Sequence, residues 1–208
     1  MDKRVPDLIK HWQKRNIEGL YCDDQAAAVD KLLELIPHSA SVGISGSVTL
    51  DRLGVANKLE VRGNEVFNQY KPGMSRQDSL SIRRQGSGAD YYLTSANAIS
   101  QDGELVFFSG FGNRTCGISS ARNVIVVAGI NKITPNLEEA LKRAREYATP
   151  LNCKRLNWKS ACLEKGICRK DICLFPEYKR MCCQILIVET EVDPGRLRVI
   201  LIGENLGF

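Results

Sequence analysis

The stretch Val124-Ile125-Val126-Val127-Ala128 decides the fold class. Five apolar, mostly β-branched residues follow one another without a polar break. That is the pattern of a strand buried on both faces, as in a parallel sheet covered by helices. The chain supplies such helices. Val29, Leu32, Leu33 and Ile36 recur at helical spacing, with Asp23 or Asp24 as cap and Pro37 as stop. Leu137, Ala140, Leu141 and Ala144 form one face of a helix running to about residue 148, with Thr134 as cap and Pro135 at its first position. Residues up to about 20 read as a helix with Leu8, His11, Trp12 and Arg15 on one side, and 75–85 as a polar one. Further strands are predicted at 40–45, 65–69, 91–94, 98–100, 104–108, 184–191 and 197–202. The turn sequence Asp193-Pro194-Gly195-Arg196 joins the last two. Helices alternating with apolar strands predict one α/β domain with a partly parallel sheet.

Composition narrows the class. Of 208 residues, 43% are apolar and 25% charged, the balance of an ordinary globular domain. No apolar run is long enough for a membrane span, and MDKRVPDLIKHWQ contains no apolar signal core. A cytoplasmic protein is expected, away from membranes. Lys and Arg number 29 against 24 Asp and Glu, a net charge of +5. Residues 150–183 hold eight bases and three acids, so they carry all of it. The same segment holds six of the eight cysteines. A basic domain surface for nucleic acid is therefore not expected, and no helix-turn-helix pattern is present. Bases clustered among cysteines can compensate the negative charge of thiolates and inorganic sulfide. A solvated basic loop is the plainer reading.

The cysteine segment reads Cys162-x5-Cys168-x4-Cys173-x8-Cys182-Cys183, preceded by Cys153. Four thiolates from one chain can hold a [4Fe-4S] cluster. Soft thiolates also suit zinc, but the closely spaced cysteine pair usual in structural zinc sites is missing. Unligated or redox-active thiols remain a third reading. Trp158 stands where it can shield a cluster from water, or simply anchor a core.

Two glycine-rich turns follow predicted strands, where α/β sheets bind ligands. In Gly43-Ile44-Ser45-Gly46-Ser47-Val48-Thr49-Leu50, backbone N–H groups and the hydroxyls of Ser45, Ser47 and Thr49 can cradle an anion around Gly46. A tight turn and helix cap explain the same residues. In Gly110-Phe111-Gly112-Asn113-Arg114, the Arg114 fork can pair an anionic substrate. Asn97, in the bend Thr94-Ser95-Ala96-Asn97, and Asp102, in a tight Asp-Gly turn, complete the candidate catalytic set, with Asp102 as general base. His11 and His38 are isolated and read as structural. Cys22 and Cys116 read as packed thiols.

Five strings agree in order with one family: Gly46-Ser47-Val48-Thr49-Leu50, Thr94-Ser95-Ala96-Asn97-Ala98-Ile99, Gly112-Asn113-Arg114, Gly129-Ile130-Asn131-Lys132-Ile133 and the cysteine segment. From about residue 8 to 189 the chain resembles the LUD-domain (lactate-utilisation) family in its short form with a cysteine-rich C-terminal region. The resemblance implies a Rossmann-like sheet akin to the ribose-5-phosphate isomerase and CoA-transferase superfamily. It implies one domain over 1–208, with 150–183 as a metal-binding segment inside it. It puts the four metal ligands at Cys162, Cys168, Cys173 and Cys182. Two departures stand out: four residues, where two are expected, separate Cys168 from Cys173, and Thr115-Cys116 replaces a small apolar pair.

The function expected from this resemblance is that of an iron–sulfur protein with a redox role in 2-hydroxy-acid metabolism. A small anionic substrate, an electron-transfer protein partner and a homo-oligomer are the expected partners. Two alternatives stay open. One is a non-redox enzyme that binds a phosphorylated or CoA-like anion, its cluster structural or Lewis-acidic. The other is a cluster-dependent sensor or assembly subunit.

Overall fold

A computed structural model of the protein describes residues 1–71 and 73–208. The chain begins with α1 (Val5–Lys14), β1 (Glu18–Cys22), α2 (Gln25–Leu35), β2 (Val42–Ile44), α3 (Val48–Arg52), α4 (Val55–Val61) and β3 (Val66–Asn68). It continues through α5 (Arg76–Ser87), β4 (Tyr91–Thr94), β5 (Ala98–Ser100), β6 (Leu105–Ser109), α6 (Asn113–Ser120) and β7 (Asn123–Gly129). Then come β8 (Ile133–Thr134), α7 (Leu137–Arg143), α8 (Thr149–Arg155), α9 (Ala161–Lys165), β9 (Gln184–Val188) and β10 (Leu197–Ile202).

Six strands form a parallel sheet in the order β1-β10-β7-β4-β2-β3. The strand β7 lies inside it, and its alternation explains the unbroken apolar run. Val124, Val126 and Ala128 face a core shared with Trp12 of α1 and Phe107 of β6. Ile125 and Val127 face the opposite core, with Leu32 of α2, Leu50 of α3 and Leu59 of α4. A smaller mixed sheet, β8-β5-β6-β9, packs on the α1 side and carries α7 on its far face. The Rossmann-like α/β class is thus observed, with a second sheet that the sequence did not announce. Among the described residues, no helix is long and apolar enough to cross a membrane.

Local chemistry sets the element ends. The Asp24 carboxylate accepts the Ala27 N–H at 2.8 Å, and the Ser75 hydroxyl accepts the Asp78 N–H at 3.1 Å. The first helix stops at Lys14 rather than near residue 20, because Asn16 takes φ +55° and the next segment pairs as β1. Asn136, not Thr134, caps α7: its Oδ1 accepts the Glu139 N–H at 2.9 Å, while Thr134 pairs in β8. The strands β9 and β10 do not pair with each other. The 193–196 turn instead carries the chain from the small sheet to the large one.

Gly43 marks the closest approach between layers. A Cβ there would lie 2.0 Å from the Gly86 carbonyl oxygen of α5. Backbone cannot yield as a flexible side chain does. Gly43→Ala is expected to cost about 3 kcal/mol, the upper part of the overpacking range, read as a lower urea midpoint at unchanged m. An unshifted midpoint would show that β2 and α5 can separate freely.

Candidate active site

The sheet order reverses between β2 and β4. After β2 the chain moves to β3 on one side, and after β4 it proceeds to β7 and β10 on the other. Loops leaving adjacent strands diverge there and open a crevice at the carboxyl edge. The 45–49 loop and the 95–97 bend are those two loops.

Arg114, near the start of α6, ties them together. Its Nη1 donates to the Phe108 carbonyl at 2.8 Å and to Asn97 Oδ1 at 3.2 Å, and its Nη2 donates to the Gly46 carbonyl at 2.8 Å. Asn97 Oδ1 is itself fixed by the Phe108 N–H at 2.8 Å. The Nε–H of Arg114 is buried and has no partner among the described residues. Burial lowers its pKa from the ordinary value, with Tyr70 and Tyr92 acting in the opposite direction. An arginine nevertheless stays charged.

Arg114 opens onto a cavity of about 670 Å³. Arg76, Arg83, Arg155 and Lys179 join it in the wall, and no Asp or Glu does among the described residues. Phe111 and Trp158 meet edge to face, with centroids 5.8 Å apart, on the same wall. Arg83 lies 5.7 Å over Phe111, and Lys179 5.8 Å over Trp158. A smaller recess of about 30 Å³ adjoins this cavity and shares Gly46, Asn97, Arg114 and Asn152 with it.

The family model of the LUD domain matches residues 5–202, nearly the whole chain. The chain belongs to the LUD-domain family. A solved structure similar to it is a DUF162-family protein from Deinococcus radiodurans, with a TM-score of 0.52 and 12% identity over 96% of this chain and 94% of that one. That likeness is one of fold. No curated protein matches the chain.

The LUD fold distributes the sequence-derived candidates unevenly. Gly46 and Asn97 meet Arg114 directly. Ser45 is buried and spends its hydroxyl on Thr94 Oγ1 at 2.9 Å. Ser47 caps α3 by accepting the Leu50 N–H at 3.2 Å. Thr49 is buried and faces Lys132 rather than the open cavity. Asp102 does not join them. It is exposed on the β5–β6 turn, next to Gly103, against which Trp12 of α1 and Arg15 just after it pack. A short Asp-Gly hairpin turn points away from the crevice, and this removes the general base from its expected place.

All eight cysteines of this LUD domain are free thiols. Cys153 on α8 is fully buried. Burial first, then the neighbouring Cys162 and Cys182, push its thiol up to about 11. Burial and then Cys182 raise Cys168. Cys162 Sγ lies 3.2 Å from the Ser160 hydroxyl. Arg180 is raised by contact with Cys182, and Cys173 and Cys183 add to the effect. The six thiols of the 150–183 segment therefore share one neighbourhood, apart from Cys22 and Cys116. Among the described residues, no three His, Cys, Asp or Glu side chains are arranged to hold a single metal ion. The segment also forms part of the cavity wall, through Asn152, Arg155, Trp158, Lys179 and Met181.

Lys132 was missed by sequence reasoning. It sits in the Asn131-Lys132 pair just past the central strand β7, buried to 3% exposure, and donates to Ser95 Oγ at 2.7 Å and Thr49 Oγ1 at 3.0 Å. Its signal in the sequence was a polar Asn-Lys pair between Ile130 and Ile133, just past a strand's carboxyl end.

Proposed function

We propose that this LUD domain binds a small organic anion in the basic cavity beside a [4Fe-4S] cluster. The cluster would be held by Cys162, Cys168, Cys173 and Cys182, and the pair would serve redox chemistry on a 2-hydroxy acid. The observation that carries the anion site is the buried, unpartnered Nε–H of Arg114. A buried donor without an acceptor costs about 1–3 kcal/mol. A carboxylate or phosphate oxygen would relieve it, next to the Nη2 already anchored on Gly46. The surrounding cations supply attraction without a competing carboxylate.

The chemistry of the thiol segment fits a cluster. Cys182 perturbs Cys153, Cys168 and Cys183, so these thiols lie within electrostatic reach of one another. A four-iron cluster spreads its ligands more widely than one zinc does. Arg145, which acts on Cys168, and Arg180, which Cys182 raises, each keep a buried Nε–H without a partner among the described residues. Sulfur acceptors on an anionic cluster would satisfy such donors. When bound, the cluster supplies one-electron transfer at a potential set by charge and hydrogen bonds to its sulfurs. The protein's own groups orient the anion through Arg114 and Asn97, and the Trp158–Phe111 pair screens the wall from water. An electron-transfer protein is the partner class this reading calls for.

A second reading keeps one specific support. Five cations exceed what a monocarboxylate needs, so a phosphorylated ligand also satisfies the cavity. Iron, acid-labile sulfide and zinc per chain after anaerobic purification test the first reading. About four irons and four sulfides are expected. One zinc without sulfide would overturn the cluster and leave the anion site to non-redox chemistry.

A further inference from the structure

We infer that Lys132 is a nucleophilic amine which forms an imine with an anionic carbonyl compound, its carboxylate or phosphate group seated on Arg114. The inference rests on the anion site proposed above and adds a reacting group to it.

The hydrogen-bond directions carry the argument. Thr49 Oγ1 has one proton, directed at the Leu206 carbonyl at 3.5 Å. Ser95 Oγ has one, directed at Thr49 Oγ1 or the Ala96 carbonyl. Both hydroxyls therefore receive from Lys132 and offer it no proton. A neutral amine with two N–H bonds engaged in this way keeps one lone pair free. No salt bridge reaches Lys132 among the described residues, and its charged neighbours, Arg114 and Arg143, are both cationic. Burial first, and then these two cations, lower its pKa well below the ordinary lysine value. Desolvation beside other cationic groups is a recognised way of activating a lysine.

The recess has the matching size and shape. Its volume of about 30 Å³ suits one small polar group rather than a whole metabolite. Lys132 and Arg114 both line it, and Arg114 also lines the large cavity. A ligand lodged in the large cavity can thus extend only its carbonyl end to the amine. Phe208 lines the recess, and the stretch before it is held by Asn131: its Oδ1 accepts the Leu206 N–H at 3.1 Å, and its Nδ2 donates to the Gly207 carbonyl at 3.2 Å. Gly207 takes φ +71°, and a Cβ there would lie 2.4 Å from Thr49 Oγ1. Only glycine keeps this stretch in place without displacing the Thr49–Lys132 pair.

The step balances without a further reactant. The Nζ lone pair attacks the carbonyl carbon, the carbonyl oxygen leaves as water after two proton transfers, and a C=N bond remains. Hydrolysis reverses it. No electrons are gained or lost.

The test uses the full chain, purified anaerobically, with sodium cyanoborohydride at neutral pH. Glyoxylate and pyruvate form one arm, and glyceraldehyde 3-phosphate the other. Peptide mapping by mass spectrometry is expected to find the reduced adduct on Lys132 at least tenfold faster than on any other lysine. The arm that reacts faster identifies the anionic group. Lys132→Met should abolish the fast adduct, and Lys132→Arg should do the same while retaining a cation if the methionine variant folds poorly. Adducts spread evenly over surface lysines, with the carbonyl compound still raising Tm, would overturn the amine and leave the anion site standing. If neither an adduct nor a Tm shift appears in either arm, the anion site and the inference fall together.

Discussion

Changing Cys182 to serine is expected to take iron from about four per chain to less than one, with loss of the sulfide and the visible absorption. Cys182 is the thiol on which the others converge: it acts on Cys153, Cys168 and Cys183 and meets Arg180. A serine oxygen is a hard donor that replaces a soft thiolate poorly. In the proposed cluster, losing this ligand would also leave the remaining thiolates gathered without a metal between them. Cys116→Ser, at an exposed position on α6, is the matched control and should keep full iron. Iron and sulfide unchanged in Cys182→Ser would move the cluster onto other thiols, with the buried Cys153 the first to examine.

Arg114→Met should weaken anion binding by about two orders of magnitude, measured as the ligand concentration needed to raise Tm. Hydrogen bonds to charged groups contribute about 1.5–3 kcal/mol each, and about 1.4 kcal/mol corresponds to a factor of ten. The residue also holds Gly46, Asn97 and Phe108 together, so the unliganded variant should melt at a lower temperature. Arg114→Lys separates the two effects, because it keeps the charge and loses the fork. It should recover less than a tenth of the lost affinity. Arg76→Met, at an exposed edge of the cavity, should change binding only a few-fold. Equal affinity in the Arg114→Met and parent proteins would remove the anion site from this crevice.

Local features were legible where chemistry is local. The β-branched run of β7 and the cap at Asp24 declare themselves within a few residues, and both stand as read. The anion-loop serines were legible as a turn. Their division of labour was not, since it depends on β4 lying beside β2 and offering Thr94 to Ser45. Asp102 looked equivalent to Arg114 because their glycine-bearing turns flank one predicted strand. Sheet order, which one sequence does not print, sends one turn to α1 and the other to the crevice. Lys132 escaped notice for the opposite reason. Its partners Thr49 and Ser95 are 83 and 37 residues away, and only the folded sheet reveals that the charged groups acting on it are Arg114 and Arg143.

The position of β10 has a consequence for how the molecule assembles. Arg198 pairs with Glu18 on one side and Ile125 on the other, so the edge strand β1 waits for a segment some 180 positions away in the chain. Contacts of such long sequence separation raise the contact order and slow folding, because loop closure must precede any gain from pairing. The thiol segment lies within the loop that β7 and β10 close. On a ribosome, β1 must remain without its neighbour while the cysteines emerge. The whole cysteine segment is therefore synthesised before the β1–β10–β7 pairing can form.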